Sequence, residues 1–279
     1  MTNGVAAAIL FAALLHAGWN ALIKRRDQDT RTATIGIAAG AALIALCLLP
    51  FVPPPAPASW PFLAASAVPQ IAYYLLIARI YQGSDLGLAY PVMRGTAPLF
   101  VTAANALLFG ESLSSLGLFG IACICGGVLL IAGGRFRGSE SGRAVMTALG
   151  IALVIAAYTV LDGAGVRRSG SPAGYTLWVF LLTGTGLAGW VTIRQPRMLP
   201  SLRKNFWIAL GGGGASLLSY GIALWAMTKA PVAAVAALRE TSILFAALIS
   251  MALLREKVTW NRIAAALLLT AGAVAIRLS

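Results

Sequence analysis

Residues 90–100 read YPVMRGTAPLF and residues 234–245 read AVAALRETSILF, two apolar stretches that each enclose one arginine. A shift of 145 residues lays Arg94 on Arg239, Thr96 on Thr241, Leu99 on Leu244 and Phe100 on Phe245. With no gap, the same shift lays Ala78 on Ala223, Glu111 on Glu256 and Gly127 on Gly272. A guanidinium placed in hydrocarbon is costly, so such residues face a bundle interior or a wet cavity. One at the same place in each half predicts a binding site where two internal repeats meet, the plan on which many carriers are built.

Working outward, the composition sets the class. Of 279 residues, 59% are hydrophobic and 10% are charged, and the mean hydropathy is +0.85. These values lie far from those of soluble domains. Ten apolar spans are predicted at 5–23, 32–52, 60–81, 88–109, 114–133, 144–161, 173–193, 205–227, 231–253 and 259–277. Each has ~18–23 residues, enough to cross ~30 Å of hydrocarbon as a helix. A backbone facing lipid must satisfy its own hydrogen bonds. The expected fold is therefore an all-α integral membrane protein.

The net charge of +13 does not call for nucleic acid as a partner, because of where the charge lies. Of the 21 basic residues, 14 flank loops on one side of the predicted membrane, four lie on the other, and Arg79, Arg94 and Arg239 fall within spans. This is a positive-inside signal, with some attraction to anionic lipid. It predicts a multi-pass protein of a bacterial inner membrane with both termini on the periplasmic side. Residues 1–4 carry no basic side chain while Lys24, Arg25 and Arg26 follow the first span. These are the reverse of signal-peptide flanks, so an uncleaved first helix is expected. Cys47, Cys123 and Cys125 read as small buried hydrophobes, without metal-ligand spacing. No cofactor and no metal is expected. The assembly is expected to be monomeric or weakly dimeric.

Five spans in each half is an odd number, so the two copies enter the membrane in opposite senses. The predicted organisation is a first repeat over 1–133, a linker over 134–143 rich in Gly, Ser and charge, and a second repeat over 144–279. A shift of 142 lays His16 on Tyr158 and Asn20 on Asp162. The sequences HAGWNALIKR (16–25), LGLAYPVMRGTAPLF (86–100) and GESLS (110–114), repeated later as LRETSILF (238–245) and REKVT (255–259), resemble the drug/metabolite transporter superfamily, and its EamA branch most closely. The resemblance spans nearly the whole chain. It implies two inverted five-helix bundles around a central cavity lined by the first four helices of each, the fifth and tenth packing outside. It also implies export of amino acids or other small metabolites. Members are often drawn with cytoplasmic termini, whereas the loop charges here argue the reverse.

Within the spans, Arg94 lies ~9 Å and Arg239 ~12 Å along its helix, deep for snorkelling. Either arginine binds a carboxylate or phosphate, which suits the planar guanidinium, or it forms a structural ion pair, for instance Arg94 with Asp162 or Arg239 with Glu240. Adjacent helical residues diverge by ~100°, which makes the second pairing awkward. Glu240 reads as the only acid well inside a span; it either compensates the guanidiniums or carries a coupling proton. His16, Asn20 and Asp162 join it as coupling or gating candidates. Trp19, Tyr73, Tyr74, Tyr90, Tyr158, Tyr175, Trp178 and Tyr220 offer aromatic walls, with Tyr90, Trp178, Tyr220, Trp19 and Tyr158 the chosen substrate contacts beside the two arginines. The balance favours an anionic or zwitterionic small-molecule solute. A first span without acid speaks against a proton/lipophilic-cation antiporter of the multidrug kind. An intramembrane lipid-modifying enzyme would need clustered acids or histidines at one interface, and none is visible; a scaffold is the remaining rival. The GxGxxG at 184–189 lies in an apolar span and predicts no dinucleotide site. Pro91, Gly95 and Pro98 predict a kink beside Arg94, and Gly36 with Gly40 predicts close helix packing.

Overall fold

Helix is the only regular structure among the described residues of the computed structural model. Backbone is described for residues 1–24, 30–83, 86–132, 139–254 and 259–279, and side chains for 1–18, 31–77, 88–131, 142–249 and 259–279. The α-helices are α1 (Asn3–Lys24), α2 (Thr30–Leu48), α3 (Trp60–Gly83), α4 (Leu86–Phe109), α5 (Ser115–Ala132), α6 (Ser139–Arg168), α7 (Pro172–Arg194), α8 (Leu199–Lys204), α9 (Phe206–Met227), α10 (Val232–Arg239), α11 (Ser242–Leu254) and α12 (Trp260–Leu278). Among the described residues, eight segments are long and apolar enough to cross a membrane, and two shorter apolar helices lie at 3–18 and 115–131. The chain is a multi-pass membrane protein. Large apolar side chains such as Leu107, Phe119, Trp207, Trp260 and Leu267 face outward, as a lipid-facing surface requires.

Turn chemistry ends the helices where it should. Gly110 and Gly170 take left-handed φ values of 63° and 62° just beyond α4 and α6. Ser171 then caps α7 by accepting from the Gly174 amide, with Pro172 at the first helical position. The proline-rich turn after α2 is tied to the α6–α7 turn. The Ala56 amide donates to the Ser169 carbonyl at 2.8 Å and the Ser171 hydroxyl donates to the Pro53 carbonyl at 2.8 Å.

Two elements depart from the hydropathy reading. The sixth helix, expected over 144–161, runs from Ser139 to Arg168. A hydropathy window stops where Asp162, Arg167 and Arg168 enter, but each of these finds hydrogen-bond partners that let the helix continue. Its start lies inside the stretch expected to be a linker; residues 134–138 fall outside those described. The ninth span, expected as one helix, is α10 and α11 joined at Glu240 and Thr241. The Glu240, Thr241 and Ile243 amides each bond the carbonyl three residues back, and the Thr241 hydroxyl bonds the Leu238 carbonyl at 2.7 Å. That competition tightens and bends the turn. Helix α4 carries Pro91 and Pro98 within one continuous helical run.

Packing is by helix pairs. Helix α5 lies along α12, α2 lies against α7 and α9, α3 and α4 lie against α6, α1 lies against α9 and α11, α3 touches α7, and α4 touches α10. The Gly36/Gly40 motif does pack closely. A Cβ on Gly40 would strike the Ala209 carbonyl, and one on Gly213 would strike the Ala41 amide nitrogen. Helices α2 and α9 therefore meet backbone to backbone. The buried centre is built from Met93, Leu63, Tyr175, Leu224 and Met227.

Candidate solute-binding site

Arg94 lies near the middle of α4 and is 6% exposed; Glu240, at the α10–α11 turn, is 4% exposed. Arg94 Nε and Glu240 Oε2 are 2.8 Å apart. They are in ionic contact without a well-aligned hydrogen bond between them. The sequence reading suggested Arg94 with Asp162 or Arg239 with Glu240, and neither pairing is the one formed. Glu240 is carried to α4 by the tight turn, on the far side of its own neighbour. A pair this buried resists loss of one member strongly, since the survivor would be an uncompensated charge, at a cost of about 3–5 kcal/mol.

Arg239 has a different environment. Its guanidinium carbon stands 4.9 Å from the centroid of the Tyr220 ring, within reach of a cation–π contact. Among the described residues, ion pairs join Arg94 to Glu240 and Arg167 to Glu111, and no carboxylate pairs with Arg239. Glu240 feels both guanidiniums electrostatically, as does His16 on α1. Both cations thus act on the carboxylate of Glu240, which is in contact with Arg94.

An aromatic wall runs beside them. Tyr158 of α6 meets Tyr220 edge-on with centroids 6.4 Å apart, and Tyr73 of α3 meets Tyr158 at 5.7 Å. Phe180 closes on the other side of Tyr220 at 5.9 Å. Tyr90, one turn before Arg94 on α4, lies in the field of both Arg94 and Glu240. Of the residues singled out from the sequence, Arg94, Arg239, Glu240, His16, Tyr90, Tyr158 and Tyr220 converge. Trp178 meets Trp60, the first residue of α3, edge-on with ring centroids 4.9 Å apart. Trp19 and Asn20 belong to α1, but their side chains lie outside the described residues, as does that of Arg79.

Asp162 proves to be a second acid inside the membrane. It is fully buried and accepts from the Tyr220 hydroxyl at 2.6 Å, Gln70 Nε2 at 2.8 Å and the Tyr175 hydroxyl at 3.1 Å. Gln70 also bonds Ser66 at 3.3 Å. Ser66 and Gln70 were missed in the sequence; a glutamine amid the apolar run of α3 was the available signal. Tyr175 reaches Asp162 only because Gly165 has no side chain in its path.

A further cluster lies at the end of the bundle. Arg167, at the end of α6, donates to Glu111 Oε1 and the Ala230 carbonyl at 2.9 Å each, and to the Met227 carbonyl at 2.7 Å. Glu111 Oε2 accepts from the Val232 amide at 3.3 Å, at the positive end of α10. The ends of α4, α6, α9 and α10 are thereby bound together. Among the described residues, no three metal-ligating side chains converge.

The sequence model of EamA-like transporters matches residues 3–133 and 142–278. The chain belongs to the EamA-like transporter family. A solved crystal structure resembles this EamA-like chain at a TM-score of 0.74 and 18% identity, covering 100% of this chain and 99% of the other. At that identity the likeness concerns the fold.

Proposed function

We propose that this EamA-like protein is a carrier that exports small anionic or zwitterionic metabolites of amino-acid size by alternating access. It would do so between two inverted five-span halves, 1–133 and 144–279, with 134–143 between them. The reading rests above all on Arg239: Glu240 neutralises Arg94 and leaves the other guanidinium available to an anionic group. Tyr90, Tyr158 and Tyr220 then supply the apolar sides of an amino-acid-sized pocket. An uncompensated guanidinium repels a cationic drug, which separates this reading from multidrug efflux.

The two-halves reading is supported by the way contacts exchange. If α1–α5 are matched with α6, α7, α9, α10–α11 and α12, then α2 on α9 becomes α7 on α3, α4 on α6 becomes α11 on α1, and α3 on α6 becomes α9 on α1. All of these contacts are present. On this reading, which the loop charges support, both termini and the Arg167–Glu111 cluster lie on the periplasmic side of a bacterial inner membrane, where the cluster would hold that end closed. In proteoliposomes loaded with L-glutamate or L-phenylalanine, Arg239→Gln is expected to abolish saturable efflux while Arg239→Lys retains part of it. Wild-type rates in both variants would rule out the assigned role.

A further inference from the structure

A cation resting on an aromatic face is only as well placed as the ring beneath it. Tyr220 meets Tyr158 and Phe180 edge-on, contacts that are non-directional compared with a hydrogen bond and do not by themselves fix the swing of the ring about its Cα–Cβ bond. What fixes that swing is its hydroxyl, which donates to Asp162 Oδ2 at 2.6 Å. Asp162 in turn is immobilised by donors on three helices: Gln70 of α3, Tyr175 of α7 and Tyr220 of α9, while the carboxylate itself belongs to α6. All three donors are neutral. Among the described residues no basic side chain pairs with the carboxylate, so its charge strengthens these hydrogen bonds. A phenol donating to an anion also carries a more electron-rich ring, which improves its hold on a cation over its face. Arg94 has no part in this arrangement, since its place is set by Glu240.

We infer that Asp162 is a positioning residue for Arg239: acting through the Tyr220 hydroxyl, it fixes the aromatic platform that aims the guanidinium at the anionic group of the solute. The inference rests on the reading of Arg239 as the solute-binding cation, and it adds a residue that need not touch the solute at all. It also gives the buried acid of α6 a purpose separate from carrying a coupling proton.

The test uses no solute. Purified full-length protein in detergent is treated with phenylglyoxal, and the labelling rates of Arg239 and Arg94 are read separately by peptide mass spectrometry. Tyr220→Phe keeps the ring and removes one oxygen; Asp162→Asn keeps the shape and removes the charge. Losing a charge-assisted hydrogen bond is expected to raise labelling of Arg239 roughly threefold to tenfold in both variants, with Arg94 at its wild-type rate. Phe180→Leu, which alters the ring's neighbour but not its hydroxyl, should move Arg239 less than either. Arg239 labelling that stays at the wild-type rate in Tyr220→Phe, or that rises together with Arg94, overturns the inference. Should Asp162→Asn fail to fold, Tyr220→Phe decides alone. Because the readout is free of transport, its failure is distinct from failure of the carrier reading, which the Arg239 efflux assay tests.

Discussion

Glu240 follows Arg239 in the chain, yet its carboxylate lies 2.8 Å from Arg94 in the other half of the sequence. The shift that superposes the two arginines lays Gly95 where Glu240 stands. One acid therefore makes two equivalent positions unequal: Arg94 is held in a buried ion pair and Arg239 rests on an aromatic ring. A frame with two guanidiniums thus holds them in two different environments.

Removing that acid is expected to harm the fold more than the chemistry. Glu240→Gln leaves Arg94 as a buried cation without a counter-charge, at a cost of about 3–5 kcal/mol. The thermal midpoint in detergent should fall accordingly. The double variant Arg94→Gln/Glu240→Gln should recover most of the loss, and additive losses in the double variant would show that the pair is not coupled.

Arg94 and Arg239 should separate when each is changed to Gln. Arg94→Gln is expected to lower the thermal midpoint by an amount similar to Glu240→Gln. Arg239→Gln should leave the midpoint within about 1 kcal/mol of wild type, since it abandons no carboxylate. Its effect should appear in solute affinity, weakened roughly tenfold or more for loss of a charge-assisted contact. Equal effects of the two substitutions on both measurements would contradict the division of labour.

The Arg167 cluster is expected to govern closure at its end of the bundle. Arg167→Gln removes three donor contacts, whereas Glu111→Gln keeps the two carbonyl bonds. Spin labels at Ser112→Cys and Thr228→Cys in a cysteine-free background should report longer distances in Arg167→Gln, and a smaller change in Glu111→Gln. The stability cost is expected to be small, as for other partly exposed ion pairs. Unchanged distance distributions in Arg167→Gln would remove its role in closure.

Two glycines on α9 make a paired test of the α2 seam. Gly213→Ala drives a methyl group into the Ala41 amide and is expected to lose about 1–3 kcal/mol through overpacking. At Gly211 a methyl group meets open space, so Gly211→Ala should be neutral or gain about 0.5–1 kcal/mol of helix stability. Thermal midpoints of the two variants decide the matter.

Much of this was written in the chain. The spans follow from hydropathy, and the matched arginines mark the region where His16, Tyr90, Tyr158, Tyr220 and Glu240 meet. Three things were not legible, for physical reasons. A hydropathy window penalises a charge without seeing its partners, so Asp162 fell outside the sixth span although four polar side chains surround it. A repeat aligns backbones and says nothing of which way a carboxylate turns, so the Arg94–Glu240 pair could not be chosen over its rivals. The break between α10 and α11 falls where the Thr241 hydroxyl takes the Leu238 carbonyl, a competition that a hydropathy pattern does not register.

The seam between α2 and α9 has one more implication. These helices belong to opposite halves of the chain, and with no side chains cushioning Gly40 and Gly213 they form a single stiff girder. Each half of the chain therefore has part of its packing surface supplied by a helix of the other. Severing the chain near residue 138 should accordingly yield fragments that recover their shape only when made together, because each lacks the beam on which it is braced.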